Sequence, residues 1–122
     1  MRALMFRGPM AIAWEEIETP KLLEPRDALV RPIAVARCDL DPAIALGLYP
    51  MPAPFVMGHE MVGEVVAVGE AISNVRLGDK VIVPFQLSCM TCAPCLRGHT
   101  NACESVPSGT AFGLGPHGGI DL

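Results

Sequence analysis

Four of the five cysteines in this chain lie close together, in the segment CMTCAPCLRGHTNAC. Their spacing is C-x2-C-x2-C-x7-C, in a stretch that is otherwise polar. Thiolates are soft, charged ligands, and four of them complete the tetrahedral coordination that zinc prefers in structural sites. Because sulfur would then occupy every position, such a site has no room for water or substrate. The spacing therefore predicts a structural zinc site, formed by Cys89, Cys92, Cys95 and Cys103.

These cysteines could instead bind an iron–sulfur cluster, be buried as small hydrophobic residues or form disulfides. An iron–sulfur cluster also uses C-x2-C-x2-C with a remote cysteine, but here no proline follows Cys103 and there is no second cysteine set. Four small buried hydrophobic residues are less consistent with a polar loop. Disulfides are disfavoured by the odd cysteine count and by the reducing compartment inferred below.

Cys38 and His59 are the other residues that could bind a metal. Cys38 stands in ARCDLD, and His59 stands beside Glu60 in MGHEMVGEVVAVG. By residue type alone, a buried thiol and a structural imidazole are favoured over a pair of ligands. The surrounding motifs, considered below, change that balance.

Composition restricts the class of protein. The chain has 122 residues, of which 51% are hydrophobic and 18% charged, as expected for one globular domain covering residues 1–122. A net charge of −4 argues against nucleic-acid binding. No apolar run is long enough for a signal peptide or a membrane span, so we expect a cytoplasmic protein without a membrane partner.

Glycine and proline, twelve of each, divide the chain into short elements. Strands are predicted at 3–6, 11–18, 27–37, 61–69 and 79–85, the first two as a hairpin and the third, because of Pro32, at an edge or a bulge. A short helix is predicted at 41–47, with Asp41 as its N-cap, and YPMPAPF is predicted to be a loop. The pattern indicates a mainly β, barrel-like domain with short helices and a cysteine loop, residues 89–103.

Taken together, the motifs resemble the medium-chain, zinc-dependent alcohol dehydrogenase family. That family has a cysteine at the end of an early strand, then GHE-x2-G-x-V-x2-VG, a GD-x-V strand, and a C-x2-C-x2-C-x7-C lobe. The residues that match the two central motifs are Gly58, His59, Glu60, Gly63, Val65, Val68, Gly69, Gly78, Asp79 and Val81.

The resemblance implies a GroES-like β-barrel with two zinc sites. The four-cysteine lobe would be structural; Cys38 and His59 would bind a catalytic zinc, and Glu60 would tune that metal from outside the ligand set or act as an occasional ligand. The activity implied is interconversion of a small alcohol and its carbonyl compound with NAD(P), in an enzyme that is commonly a homo-oligomer. His99, inside the lobe, is not expected to bind because four sulfurs suffice.

Three features depart from the family pattern. The family carries a Rossmann domain and a further zinc ligand beyond the point where this chain ends, so the chain alone is expected to lack turnover. GLGPHG, at 113–118, has the G-x-G-x-x-G spacing but no clear strand before it, and we expect a loop with a solvated His117. Leu40 stands where the family usually has the Ser or Thr that relays the alcohol proton. A non-catalytic zinc-binding module is therefore the alternative hypothesis.

Overall fold

The computed structural model describes residues 1–106, 111 and 113. Six strands and two helices lie in this order: β1 (Arg2–Gly8), β2 (Ala11–Glu16), β3 (Ala28–Val35), α1 (Leu40–Ala45), β4 (Phe55–Val56), β5 (Met61–Val68), β6 (Lys80–Val83) and α2 (Ala93–Leu96). A 3₁₀ helix follows at Thr100–Ala102. Residues 114–118, which include His117 and most of the glycine motif, lie outside the described residues.

The strands form two antiparallel sheets of three strands each. The first sheet has the order β2-β1-β4, and the second has the order β3-β5-β6. Over the described residues no strand pairing joins the two sheets, so the predicted mainly β fold is present without a closed barrel. None of the described helices has the length and apolar character needed to cross a membrane.

The opening hairpin forms as its sequence predicts. β1 and β2 pair in register from Arg2 opposite Glu16 to Phe6 opposite Ile12. In β3 the pairing with β5 shifts between Pro32 and Ala34. Because proline cannot donate to a neighbouring strand, the chain accommodates it in a bulged edge strand.

The first sheet and α1 share one apolar core. Phe6 of β1, Ile44 of α1 and Phe55 of β4 are 1%, 0% and 5% exposed, and the two phenyl rings lie 5.0 Å apart at 43°. Burial of each such side chain contributes about 1.5–3 kcal/mol. The core therefore fixes α1 against the first sheet, and with α1 it fixes the segments on either side of that helix.

Candidate metal centres

The four thiols of the cysteine lobe, residues 89–103, converge on one point. Their sulfur atoms all lie within 4.8 Å of one another, and the sulfurs of Cys89 and Cys95 are 4.0 Å apart. Four sulfurs placed about 2.3 Å from a zinc ion would be separated by about 3.8 Å. The donor set therefore suits a zinc ion in both chemistry and spacing.

Short helices position these thiols. Helix α2 begins after Cys92 with Pro94 in its first turn, a position where the missing N–H of proline has no cost, and it carries Cys95 inward. Gly98, with a φ of +85°, turns the chain, and the 3₁₀ helix at Thr100–Ala102 leads to Cys103. The sequence predicted the lobe as a loop without these helical turns.

Hydrogen bonds and burial have opposite effects on the pKa values of three lobe thiols, Cys89, Cys103 and Cys95. The Thr91 side chain and the backbone N–H groups of Thr91 and Cys92, the latter two 3.4 and 3.3 Å from the Cys89 sulfur, lower the pKa of Cys89 to about 5. The backbone N–H of Cys89 likewise lowers the pKa of Cys103. Burial raises the pKa of Cys95 to about 12, so metal binding would release a proton there.

A second group brings together Cys38, Asp41 and His59. One ligand atom from each lies within 4.8 Å of the other two. Cys38 lies between β3 and α1, Asp41 lies in the first turn of α1, and His59 lies between β4 and β5. The Ala36 N–H donates to the Glu60 carbonyl at 2.8 Å, which holds the segment before Cys38 beside the segment after His59.

Asp41 connects the two other members of this group. Its Oδ2 accepts the backbone N–H of Cys38 at 2.8 Å, and its Oδ1 lies 3.4 Å from Nδ1 of His59. The prediction that Asp41 caps the helix is wrong: α1 begins at Leu40, with Asp39 at the N-cap position and Asp41 inside the helix. The signal available in the sequence was a carboxylate three residues after a cysteine, close enough to reach back to its N–H.

His59 is buried, with 6% of its surface exposed. Its Nδ1 has no hydrogen-bond partner within the described part of the chain, although a carboxylate oxygen lies nearby, because that approach lacks hydrogen-bond geometry. Burying an imidazole nitrogen without a hydrogen bond is costly. A buried imidazole and a thiol at this spacing suit a zinc ion, and the Asp41 carboxylate contacts the segments that carry both.

The remaining residues highlighted by the sequence lie outside these two groups. Glu60 is exposed, and its carboxylate belongs to neither group among the described residues. Leu40 donates its N–H to the Cys38 sulfur at 3.3 Å, while its side chain packs against the core of Phe6, Ile44 and Phe55. His99 is exposed at the lobe surface.

The chain is similar to known alcohol dehydrogenases over most of its length. A family model described as the alcohol dehydrogenase GroES-like domain matches residues 24–121. The chain is 38% identical over 104 residues to zinc-type alcohol dehydrogenase B of Aspergillus flavus, a match that covers 85% of this chain and 24% of that protein.

Solved structures share the fold. Alcohol dehydrogenase TADH from Thermus sp. ATN1 matches with a TM-score of 0.83 and 40% identity, covering 98% of this chain and 34% of that one. A cobalt- and zinc-bound thermostable alcohol dehydrogenase from Pyrobaculum aerophilum matches with a TM-score of 0.80 and 34% identity, covering 98% and 36%. The predicted fold class is thus confirmed, and the chain spans from 24% to 36% of the length of these relatives.

Proposed function

Because the chain belongs to the alcohol dehydrogenase GroES-like domain family, we propose that it is the metal-binding part of a zinc-dependent alcohol dehydrogenase. The proposed reaction is the interconversion of a small alcohol and its carbonyl compound with NAD(P). The observation that carries this proposal is the meeting of Cys38 and His59, from separate segments, in a group distinct from a closed set of four thiols. A protein that used metal only to stabilise its fold would need the four thiols alone.

The cysteine lobe is proposed to hold structural zinc. The sulfur spacing supports this, as does the supply of N–H donors to Cys89 and Cys103, because such donors favour the thiolate that zinc requires. A zinc ion bound there would compensate the cost of ionising the buried Cys95. The lobe has no role in the proposed reaction beyond holding its own segment in place.

Cys38 and His59 are proposed as the protein ligands of a catalytic zinc. A zinc ion held there with an open position would supply Lewis-acid polarisation of an alcohol or carbonyl oxygen. The Leu40 N–H donates to the Cys38 sulfur and so orients it, and Asp41 accepts the Cys38 N–H and so holds the Cys38 backbone. The same carboxylate faces His59 and limits the orientations of its ring.

Other parts of the proposal depend on the family rather than on local geometry. Glu60 remains proposed as a carboxylate that tunes the metal from outside the ligand set, although its side chain is exposed. NAD(P) as cofactor, a cytoplasmic location and assembly into homo-oligomers are proposed for the parent enzyme. The packing of Leu40 against the core favours the alternative, a zinc-binding module without catalysis, because Leu40 provides no hydroxyl for a proton relay.

Metal analysis of purified variants tests the proposal. We expect two zinc ions per chain in the wild type and one in Cys38→Ala. Cys103→Ala is the matched control: it too should lose one zinc ion, but from the lobe, so the double variant should retain none. One zinc ion per chain in the wild type, unchanged by Cys38→Ala, would contradict the catalytic site and support the binding module.

A further inference from the structure

Gly113 lies directly against the backbone of Gly58, the residue that precedes His59. A Cβ atom at position 113 would lie 2.8 Å from the backbone nitrogen of Gly58 and closer still to its carbonyl group. Folded proteins essentially never show a Cβ atom so close to another heavy atom. The φ of Gly113 is +61°, a left-handed conformation that also favours glycine. Position 113 therefore admits no side chain without displacement of Gly58.

Gly58 has little freedom to move in response. Its own φ is +127°, and a Cβ there would lie 3.2 Å from Cγ1 of Val35 at the end of β3. Two residues later, the Glu60 carbonyl accepts the N–H of Ala36. The backbone around His59 is thus enclosed between the segment that leads to Cys38 and Gly113.

A described residue two positions before Gly113 is anchored beside the cysteine lobe. Ala111 is 6% exposed and pairs with Gln86 in an antiparallel bridge, three residues before Cys89. The Gln86 side-chain amide donates to the carbonyl of Thr100 at 3.5 Å. Gly113 therefore lies two positions after an anchored residue, which limits how far it can move away from Gly58.

We infer that Gly113 is a positioning residue for the Cys38–His59 metal site: by packing its bare backbone on Gly58, it sets the position of His59 relative to Cys38. This inference rests on the proposed function, because it concerns metal binding by those two residues. A methyl group at position 113 would push Gly58 away and carry the His59 backbone with it. The lobe thiols would stay in place, because backbone N–H groups of residues 89–106 hold them independently of Gly113.

Cobalt(II) titration followed by absorption spectroscopy tests the inference without measuring catalysis. The spectrum that Cys38→Ala loses identifies the Cys38–His59 site, and the remaining thiolate spectrum identifies the lobe. Gly113→Ala is expected to weaken cobalt binding at the first site by about 10–100-fold, the range typical when a group that orients a metal ligand is removed. Binding at the lobe should be unchanged.

Two further variants separate steric displacement from backbone strain. Gly78→Ala introduces a side chain at a comparable φ of +86° where nothing lies within 4 Å, and it should leave both sites unchanged. Gly113→Asn should reproduce the loss, because asparagine tolerates the left-handed region but still carries a Cβ.

The outcomes distinguish the inference from the function on which it rests. A wild-type chain with no cobalt signal that depends on Cys38 would overturn the proposed catalytic site, and the inference with it. Two intact sites in Gly113→Ala would overturn the inference alone. Equal weakening of both sites would also overturn it, because Gly113 would then support the fold as a whole.

Discussion

Replacement of Asp41 should weaken metal binding at the Cys38–His59 site while leaving the lobe site intact. The Asp41 side chain is 17% exposed, and it faces the backbone of one proposed ligand and the ring of the other. Asp41→Ala removes both interactions. Asp41→Asn keeps an amide oxygen that can accept the Cys38 N–H but removes the charge that faces His59.

The size of the effect follows from the hydrogen bond and the charge that the substitution removes. A hydrogen bond to a charged group contributes about 1.5–3 kcal/mol, and about 1.4 kcal/mol corresponds to a tenfold change in affinity. Asp41→Ala should therefore weaken metal binding by about 10–100-fold. The asparagine variant should lose less, because only the electrostatic interaction with His59 is removed.

Cobalt(II) titration with the Cys38-dependent spectrum as the readout measures both values. Asp39→Ala is the matched control, since Asp39 is an exposed acid two positions away whose side chain caps no helical N–H. The reasoning is refuted if Asp41→Ala binds cobalt with wild-type affinity. It is equally refuted if Asp39→Ala shows the same loss, because net charge near the site would then explain the effect.

Three further predictions concern the core, the second sheet and the lobe. Ile44→Ala should lower the free energy of unfolding by about 2–5 kcal/mol and Ile44→Val by about 0.5–1.5 kcal/mol, measured by urea denaturation; equal losses would show that the site collapses to fill the cavity. Lys80, and to a smaller degree Arg31, lower the pKa of Glu64 from its ordinary 4.5. The stability contributed by the Glu64 ion pairs is therefore present above pH 4.5 and is lost as the pH falls through the lowered pKa. The shift in urea midpoint caused by Glu64→Gln should shrink as the pH falls below 4.5, and a shift that does not change with pH would contradict the argument. Chelation of the zinc proposed for the lobe should raise amide hydrogen exchange across 89–106 while leaving β1 protected, and exchange that rises equally in both would show one cooperative unit.

The sequence predicted the longer strands well because their signals are local. Residues 61–69 include four valines, a β-branched residue type that is enriched in strands, and β5 is observed at Met61–Val68. The hairpin of β1 and β2 has a turn signal in Gly8 and Pro9. Pro32 indicated an edge or a bulge, and β3 has both features within the described sheet.

The elements that the sequence missed depend on distant partners. β4 has only two residues, Phe55 and Val56, and exists because β1 presents Phe6 and Met5 for pairing. The proline-rich sequence before β4 has no alternation of apolar and polar residues that would predict a strand. Helix α2, with four residues, is too short for a periodic signal and forms in a segment whose cysteines converge.

The sequence predicts the site only in part, because some of its contacts join residues that are distant along the chain. Cys38 and His59 were identified as possible ligands from motif resemblance, and the fold brings them together with Asp41, which the sequence assigned to helix capping. A carboxylate near a helix start satisfies capping preferences whether or not it caps, so local rules alone could not separate the two roles. Only the approach of His59, which is eighteen positions away in sequence, distinguishes them.

Helix α1 explains why Leu40 differs from the hydroxyl residue usual in the family. Leu40 and Ile44 are four positions apart and so lie on one face of the helix, where both pack into the phenylalanine core. Asp41 lies on the adjacent face, toward His59. With six residues, the helix depends on that core for its stability, because so short a helix is not stable alone. The position two residues after Cys38 thus stabilises the element that carries Asp41, and the proposed reaction would need a proton route that does not use the Leu40 side chain.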